Sequence, residues 1–475
     1  MMNKPVLLTG MTLIASVLLL SGCMAPPDGA LKSVKTADEA GYTKTFQEIS
    51  AIDWPGDHWW TRYQDQQLNQ LIESALADSP AMAQAQARLK NYQGIARQAG
   101  ALKKIQAGLS ANASQTKISY HYQAATPPQN WNDFGSVTLN FSYDFDFWGK
   151  NKATVAAAVS ELAAAKAEQA ATRLMLSTSI AQAYAELARL YANEDTVNAA
   201  VHVRRKTAEL LTRRYRNGLE TKGAVSQAKS AVASVEAELL SIKESVQLQK
   251  NAIAALVGHG PDMALSISRP VVHLSATFGL PEDVGVGLLG HRPDVSAARW
   301  QAEAAAQRIG VARAQFYPDV SISAFIGYQA FGLDNLFNTG NDAGSISPAI
   351  YLPIFSGGRL EGQLTSAQAR YEMAVGQYNQ TLIRALHDVA DVVTSTKALD
   401  SQIEKSGQAV EAAREAHQIA SNRYQGGLAT YLDVLSAENA LIHSERALVN
   451  VRARAFSLDL SLIHALGGGY QAEKH

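Results

Sequence analysis

The chain has 475 residues, 47% of them apolar and 18% charged, and 42 basic side chains nearly cancel 43 acidic ones for a net charge of −1. A near-neutral balance removes the electrostatic case for a nucleic-acid partner, which needs a basic surplus, and the apolar fraction excludes a disordered chain. Only 14 prolines occur and none falls in residues 129–260 or 354–475. Those two stretches, rich in Ala, Leu, Gln, Glu, Lys and Arg, favour very long helices.

Residues 1–22 read as a lipoprotein signal peptide. Lys4 supplies positive charge, and the apolar run Val6–Leu20 is too short for a mature membrane helix. It ends in Leu20-Ser21-Gly22-Cys23, which is similar to a bacterial lipobox, where the cysteine is acylated and becomes the first residue. Cys23 is the only cysteine, so no intrachain disulfide can form; an incidental thiol is the plain alternative. Met24 follows it, and by likeness to sorted lipoproteins this favours the outer membrane. No run of 18 apolar residues occurs after Cys23, so a segment that crosses a membrane must do so as β-strands. Residues 23–58 are read as a lipidated linker.

Val137, Leu139, Phe141, Tyr143, Phe145 and Phe147 alternate with Thr138, Asn140, Ser142, Asp144 and Asp146. Such alternation predicts a strand with one apolar and one polar face, of the length that a tilted transmembrane strand needs. Its partner is expected within Gln106–Ala124, ending in Tyr120 and Tyr122, with Thr126-Pro127-Pro128 as a loop tip. A second pair is expected around Val320–Tyr328 and Ile346–Ile354, with Pro348 and Pro353 awkward for a ladder and Asp334–Gly344 as the tip. A soluble sheet packed on helices would alternate equally well. Four strands cannot close a barrel, since known barrels begin at eight, so strands that span a membrane must be pooled by several copies of the chain.

The sequence repeats itself at an offset of 209 residues. Arg214-Tyr215-Arg216-Asn217-Gly218-Leu219 recurs as Arg423-Tyr424-Gln425-Gly426-Gly427-Leu428, and Gly149-Lys150 as Gly358-Arg359. After each Arg-Tyr motif runs a stripe with steps of three and four: Val225, Ala228, Val232, Val235, Leu239, Ile242 and Val246, then Val434, Ala437, Leu441, Ser444, Leu448 and Val451, apolar throughout except at Ser444. A period near 3.5 predicts helices packed along their length. The expected organisation is a first repeat at 59–260 (strands about 106–147, helical hairpin 149–257), a linker at 261–280, a second repeat at 281–470 (strands about 318–355, hairpin 358–466) and a tail at 471–475. A proline-free helix of nearly 70 residues would reach ~100 Å, more than a single core requires. The fold class is mainly α with a transmembrane β part.

With these residues in hand, the chain resembles the TolC-like outer-membrane efflux family, in its lipoprotein branch that serves resistance-nodulation-division pumps. The matching pieces are Trp59-Trp60 with Tyr63 and Asp65, Leu288-Leu289-Gly290-His291-Arg292-Pro293-Asp294-Val295, Ala312–Pro318, Phe355–Leu360 and Ala465-Leu466-Gly467-Gly468-Gly469-Tyr470. They cover nearly all of the mature chain. The resemblance implies a homotrimer with a 12-stranded barrel in outer-membrane lipid above a long α-helical tunnel. It also implies docking on a periplasmic adaptor protein and an inner-membrane pump, with passive export of drugs or other small toxic compounds.

Two sites carry over by the same resemblance. The helical turns at the periplasmic tip, Arg214, Tyr215, Gly218, Leu219 and Arg423, Tyr424, Gly427, Leu428, are the expected adaptor contacts. A purely structural reading also fits, with Gly218 as a left-handed cap and the arginines at the negative end of a helix dipole. Asp433 stands where the family narrows its closed entrance, or it forms a capping box with Thr430. Ser436 occupies the place of a second gate aspartate, and Gly223-Ala224 stand where polar gate partners often sit.

Rival readings are the adaptor itself, which would carry one hairpin between lipoyl-like halves, and a coiled-coil stalk, which would lack the strand pairs. Gly285-Val286-Gly287-Leu288-Leu289-Gly290 matches the dinucleotide fingerprint formally but lacks the preceding strand and βαβ context. The sequence has no Gly-x-Ser-x-Gly elbow, no phosphate loop and no His-Glu-x-x-His, and its 11 histidines form no ligand pair at helical spacing. The chain is therefore expected to be no enzyme and to hold no metal or cofactor.

Overall fold

The computed structural model describes residues 33–36, 39, 41, 52–119, 129–272, 279–282 and 284–472. The signal segment, Cys23, Tyr120, Tyr122, Thr126-Pro127-Pro128 and much of the 23–58 linker lie outside the described residues. The elements run α1 (Gln66–Asp78), α2 (Pro80–Ala101), β1 (Gln106–Thr116), β2 (Asn132–Phe145), α3 (Lys150–Arg216), α4 (Lys222–Val257), α5 (Val284–His291), α6 (Pro293–Ala314), β3 (Asp319–Phe331), β4 (Asp342–Tyr351), α7 (Arg359–Gln425) and α8 (Tyr431–Ala465). Helix, strand pair and long helical hairpin thus occur twice. The two helical hairpins keep one spacing: α7 begins 209 residues after α3 (359 − 150), and α8 begins 209 after α4 (431 − 222). Among the described residues no helix is long and apolar enough to cross a membrane.

The chain divides into two compact units, and the long helices contribute residues to both. The first unit comprises, among the described residues, 33–34, 90–119, 129–165 and 298–378. It holds one antiparallel sheet in the order β1-β2-β3-β4. Beside the sheet, Ile309 and Ala312 of α6, with Phe316 in the turn that follows it, bury against Leu360 and Leu364 of α7.

Strand boundaries differ from the alternation pattern in ways the local chemistry explains. β2 stops at Phe145 because Asp146 turns to cap α3, its two carboxylate oxygens accepting from the Asn151 (2.9 Å) and Lys152 (2.6 Å) amides. Asp146 is therefore a helix-capping residue and not part of a polar strand face, and Phe147 lies beyond the strand. β4 starts at Asp342, inside the expected loop, and ends at Tyr351, leaving Leu352 and Ile354 outside it. Pro348 stands opposite Ile322 in the β3–β4 register and does not interrupt the strand.

The second unit comprises residues 35–89, 166–297 and 379–475. Its core gathers Trp59, Trp60 and Tyr63 from a 3-10 turn, Leu68 and Ile72 of α1, Ile180, Tyr184 and Leu187 of α3, Ile253 and Val257 of α4, and Phe456, Leu460 and Ile463 of α8. Asp65 caps α1 by accepting from the Leu68 amide (3.1 Å) and also accepts from the Tyr184 hydroxyl (2.8 Å). The Arg292-Pro293-Asp294 motif has a structural use. The buried Arg292 guanidinium pairs with Asp294 (2.7 Å) and Asp388 of α7 (2.9 Å) and donates to the Ala465 carbonyl (3.3 Å). Burial alone would lower its pKa, but the two carboxylates prevail and raise it. His464 beside it is pushed down, first by burial and then by the Arg292 charge.

Candidate functional site

Register places each strand residue on one of two faces. Gly108, Asn140, Phe325 and Ser345 stand opposite one another across β1 to β4, as do Gln106, Ser142, Ser323 and Ser347. Apart from Phe325 and Gly108, these two rows of one face present hydroxyls and amides. The other face carries Leu109, Leu139 and Ile326 in one row, and Ala107, Phe141, Ala324 and Ile346 in the next. Leu109, Ile326, Ile346 and Ile350 are each at least 64% exposed. A contiguous apolar surface of this kind is a liability in water and a fit to acyl chains. The strands run 11, 14, 13 and 10 residues, enough to cross a hydrocarbon core when tilted. Among the described residues β1 and β4 each have one neighbour, so two rows of backbone donors and acceptors remain open.

The two helical turns build the second site. Gly218 (φ 73°) and Gly427 (φ 75°) take the left-handed conformation that a side chain disfavours. In the first turn the Leu219 amide donates to the Arg214 carbonyl (2.9 Å) and Gly218 to Tyr215 (3.0 Å); in the second, Leu428 donates to Arg423 (2.8 Å) and Gly427 to Tyr424 (3.1 Å). Both pairs satisfy helix-end carbonyls in the Schellman pattern. Below the turns Leu211, Val225, Ala228, Tyr424, Tyr431 and Val434 form one buried cluster that joins the two hairpins.

Polar contacts tighten that cluster. The Tyr424 hydroxyl donates to the Glu220 carboxylate, and the Arg214 guanidinium lies over the Tyr424 ring, 5.1 Å from its centroid. Burial, with the Glu220 bond, pushes the Tyr424 phenol up to about 12, while the same bond and the Thr221 amide hold Glu220 below its usual range. Further along α3, the nearly buried Arg204 donates to Glu438 of α8 (2.9 Å) and to the Ala231 carbonyl of α4 (3.1 Å). Severing a buried pair of this kind leaves an uncompensated charge and costs several kcal/mol, roughly 3–5. A groove of about 560 Å³ between α3 and α4 is lined by Arg205, Arg213, Arg216 and Lys229 together with Glu209 and Glu236, the last paired with Arg205.

Three comparisons with known proteins bear on these features. A family model described as "Outer membrane efflux protein" matches residues 71–259 and 286–468. The chain belongs to this family. Its backbone superimposes on the crystal structure of the outer membrane protein VceC from Vibrio cholerae with a TM-score of 0.84, at 66% identity over 88% of this chain and 100% of that one. It is 29% identical to the multidrug resistance outer membrane protein MdtP of Escherichia coli, over 97% of this chain and 96% of that one. It is 34% identical to the fusaric acid resistance protein FusA of Burkholderia cepacia, over 76% of this chain and 69% of that one. The protein is an outer-membrane efflux channel, an exit duct.

Within this efflux channel the tip residues named from sequence fall into two groups. Tyr215, Leu219 and Leu428 are exposed (45, 65 and 73%) and present themselves to solvent. Tyr424 is buried, Arg214 lies on its ring, and Arg423 donates to the Leu428 carbonyl (3.3 Å), so these three hold the turns together. Asp433 forms the capping box: its carboxylate accepts from the Thr430 amide and hydroxyl (both 2.8 Å), and its own amide donates to Thr430 Oγ1 (3.4 Å). Its carboxyl is held below the usual range, first by the Thr430 amide bond. Sequence reasoning missed Glu220, Arg204 and Glu438. Glu220 follows the Gly-Leu signature directly, and a carboxylate placed there beside two arginines was the available signal.

Proposed function

We propose that three copies of the chain pool their four strands into a 12-stranded outer-membrane barrel, continued in the periplasm by a helical tunnel, that passively releases small toxic compounds. The observation that carries this reading is the sheet with two open edges and two chemically opposite faces. Unpaired backbone groups cannot face hydrocarbon, because each unsatisfied group costs several kcal/mol. A second copy lying beside β1 and a third beside β4 remove both edges, and closure then puts the hydroxyl-rich face around water. A duct of this kind needs no catalytic group, which agrees with the family's members being channels. Residues 59–260 and 281–470 act as the two repeats of each subunit, with 261–280 linking them.

The tip is the proposed contact for a periplasmic adaptor that connects the duct to an inner-membrane resistance-nodulation-division pump. Exposed Leu219 and Leu428 and the charged α3–α4 groove give an apolar and charged surface for its helices. Three copies of Asp433 ring the proposed entrance, each free to keep its cap and still present charge. Cys23 is the proposed lipid attachment.

One preparation tests these points. Protein purified in detergent should have the mass of three chains, each trimmed to Cys23 and carrying acyl groups, and should raise the conductance of a planar lipid bilayer. Asp433→Asn should raise that conductance further. A non-conducting monomer would remove the duct geometry, an unacylated chain the anchor, and an unchanged Asp433→Asn conductance the gate.

A further inference from the structure

For the β3–β4 connection, residues 332–341, the sequence predicts a loop tip at Asp334–Gly344. The connection carries a 3-10 turn, Leu333–Asn335, and a tight internal hydrogen-bond set. The Asn338 amide donates to the Asn335 carbonyl (2.9 Å), Asn341 Nδ2 donates to the same carbonyl (2.7 Å), and the Gly332 amide donates to Asp133 of β2 (2.8 Å). The segment is thus folded and fastened to its own sheet.

Which side of the sheet it lies on follows from register. Gly135 and Val137 share the apolar face of β2, and Ala330 and Tyr328 stand opposite them on β3. A methyl group built on Gly135 would meet Leu333 Cδ2 at 2.7 Å and Leu336 Cδ2 at 3.4 Å. The Phe337 ring meets Tyr328 edge-on at 5.5 Å. Leu336 and Ala330 are covered by this contact, each 8% exposed, while Phe337 stays 69% and Leu333 48% exposed. The connection has therefore folded onto the lipid-facing side, at the end of the strands remote from the helices, and its uncovered side chains continue the surface of Leu139, Ile326 and Ile346.

We infer that residues 332–341 form a membrane foot whose Phe337 and Leu333 contact acyl chains of the outer leaflet. The inference rests on the outer-membrane barrel above. Its physical basis is that Leu336 fixes the turn and Phe337 and Leu333 gain transfer free energy only if hydrocarbon covers them. The polar groups of the same turn, Asp334, Asn335, Asn338 and Asn341, already bond to one another or to backbone. An aromatic ring at the edge of the apolar band suits a lipid interface. A further consequence is that this connection does not fold over the polar face.

Hydroxyl-radical footprinting of the unaltered protein in lipid vesicles tests the foot. Phe337 should be oxidised several-fold less than Tyr215 at the helical turn, and about as little as Phe141 in the middle of the band. If Phe141 is protected and Phe337 is oxidised like Tyr215, the foot is overturned while the barrel stands; if Phe141 is also oxidised, the barrel itself fails. A photoreactive benzoylphenylalanine in place of Phe337 identifies what covers it. An adduct with the mass of a lipid supports the foot, whereas a chain-to-chain crosslink or no adduct overturns it.

Discussion

The two helical turns have nearly the same sequence and the same backbone, yet their side chains do opposite things. Tyr215 in the first turn is exposed, and Tyr424, its counterpart 209 residues later, is buried under Arg214 and bonded to Glu220. Arg214 crosses to the other turn, while Arg423 folds back on its own. α4 begins with Thr221 alone as its cap, and α8 begins with Thr430 and Asp433 as a reciprocal pair. A duplicated motif thus keeps its backbone task in both copies, because the glycine and the carbonyl bonds are local. Its side chains diverge because one copy has become the socket into which the other fits.

The largest expected effect breaks that socket. Tyr424→Ala removes a buried aromatic ring and strands Glu220 and Arg214, and should destabilise the tip by about 3 kcal/mol. Tyr215→Ala should change stability by no more than about 0.5 kcal/mol, the usual range for an exposed position. Hydrogen exchange of the amides around Leu211 and Val225 checks the difference. Equal protection loss in the two variants would mean that the turns are equivalent after all.

A smaller effect on stability, and a larger one on partnership, is expected where the turns are alike. Leu219 and Leu428 are both exposed, so Leu219→Ser and Leu428→Ser should leave amide protection at the tip unchanged. Each should nevertheless reduce crosslinking to a co-expressed periplasmic adaptor, and the double variant more than either. Crosslinking that survives the double variant would remove these leucines from the contact.

How far such features could be read in advance depended on the range of the interactions that made them. The long helices were legible because missing prolines and a 3.5-residue stripe are local signals, and the 209-residue offset fixed their ends. The two faces of β2 were legible from Val137 to Phe145 for the same reason. Asp146 was not, since alternation continued through it while its carboxylate was already bonded to the next helix. The connection Asp334–Gly344 reads as a loop tip, and the spacing of Leu333, Leu336 and Phe337, one helical turn, was the overlooked sign. The division of labour between Tyr215 and Tyr424 could not be read at all, because identical Arg-Tyr-x-x-Gly-Leu motifs differ only in what the other hairpin brings to them.

The smallest effect sharpens the comparison of the two helix starts. Asp433 has its pKa lowered by the Thr430 bonds, so its ionised form is favoured in the fold. A depressed carboxylate contributes stability that is present above its unfolded value near 3.8 and is lost as pH falls through the lower folded one. The α4 start has Ala224 at the corresponding position and no such carboxylate. On acidification below the ordinary carboxylate range, the first turn of α8 should therefore fray before that of α4. Ala224→Asp should give α4 the same reciprocal cap and the same acid response. Hydrogen exchange of the Ala224 and Asp433 amides, compared at neutral pH and in acid, reads both. If α4 and α8 lose protection together in the parent chain, the cap is not what distinguishes the two copies, and the fraying belongs to the shared Tyr424–Glu220 bond, whose lowered carboxylate titrates in the same direction.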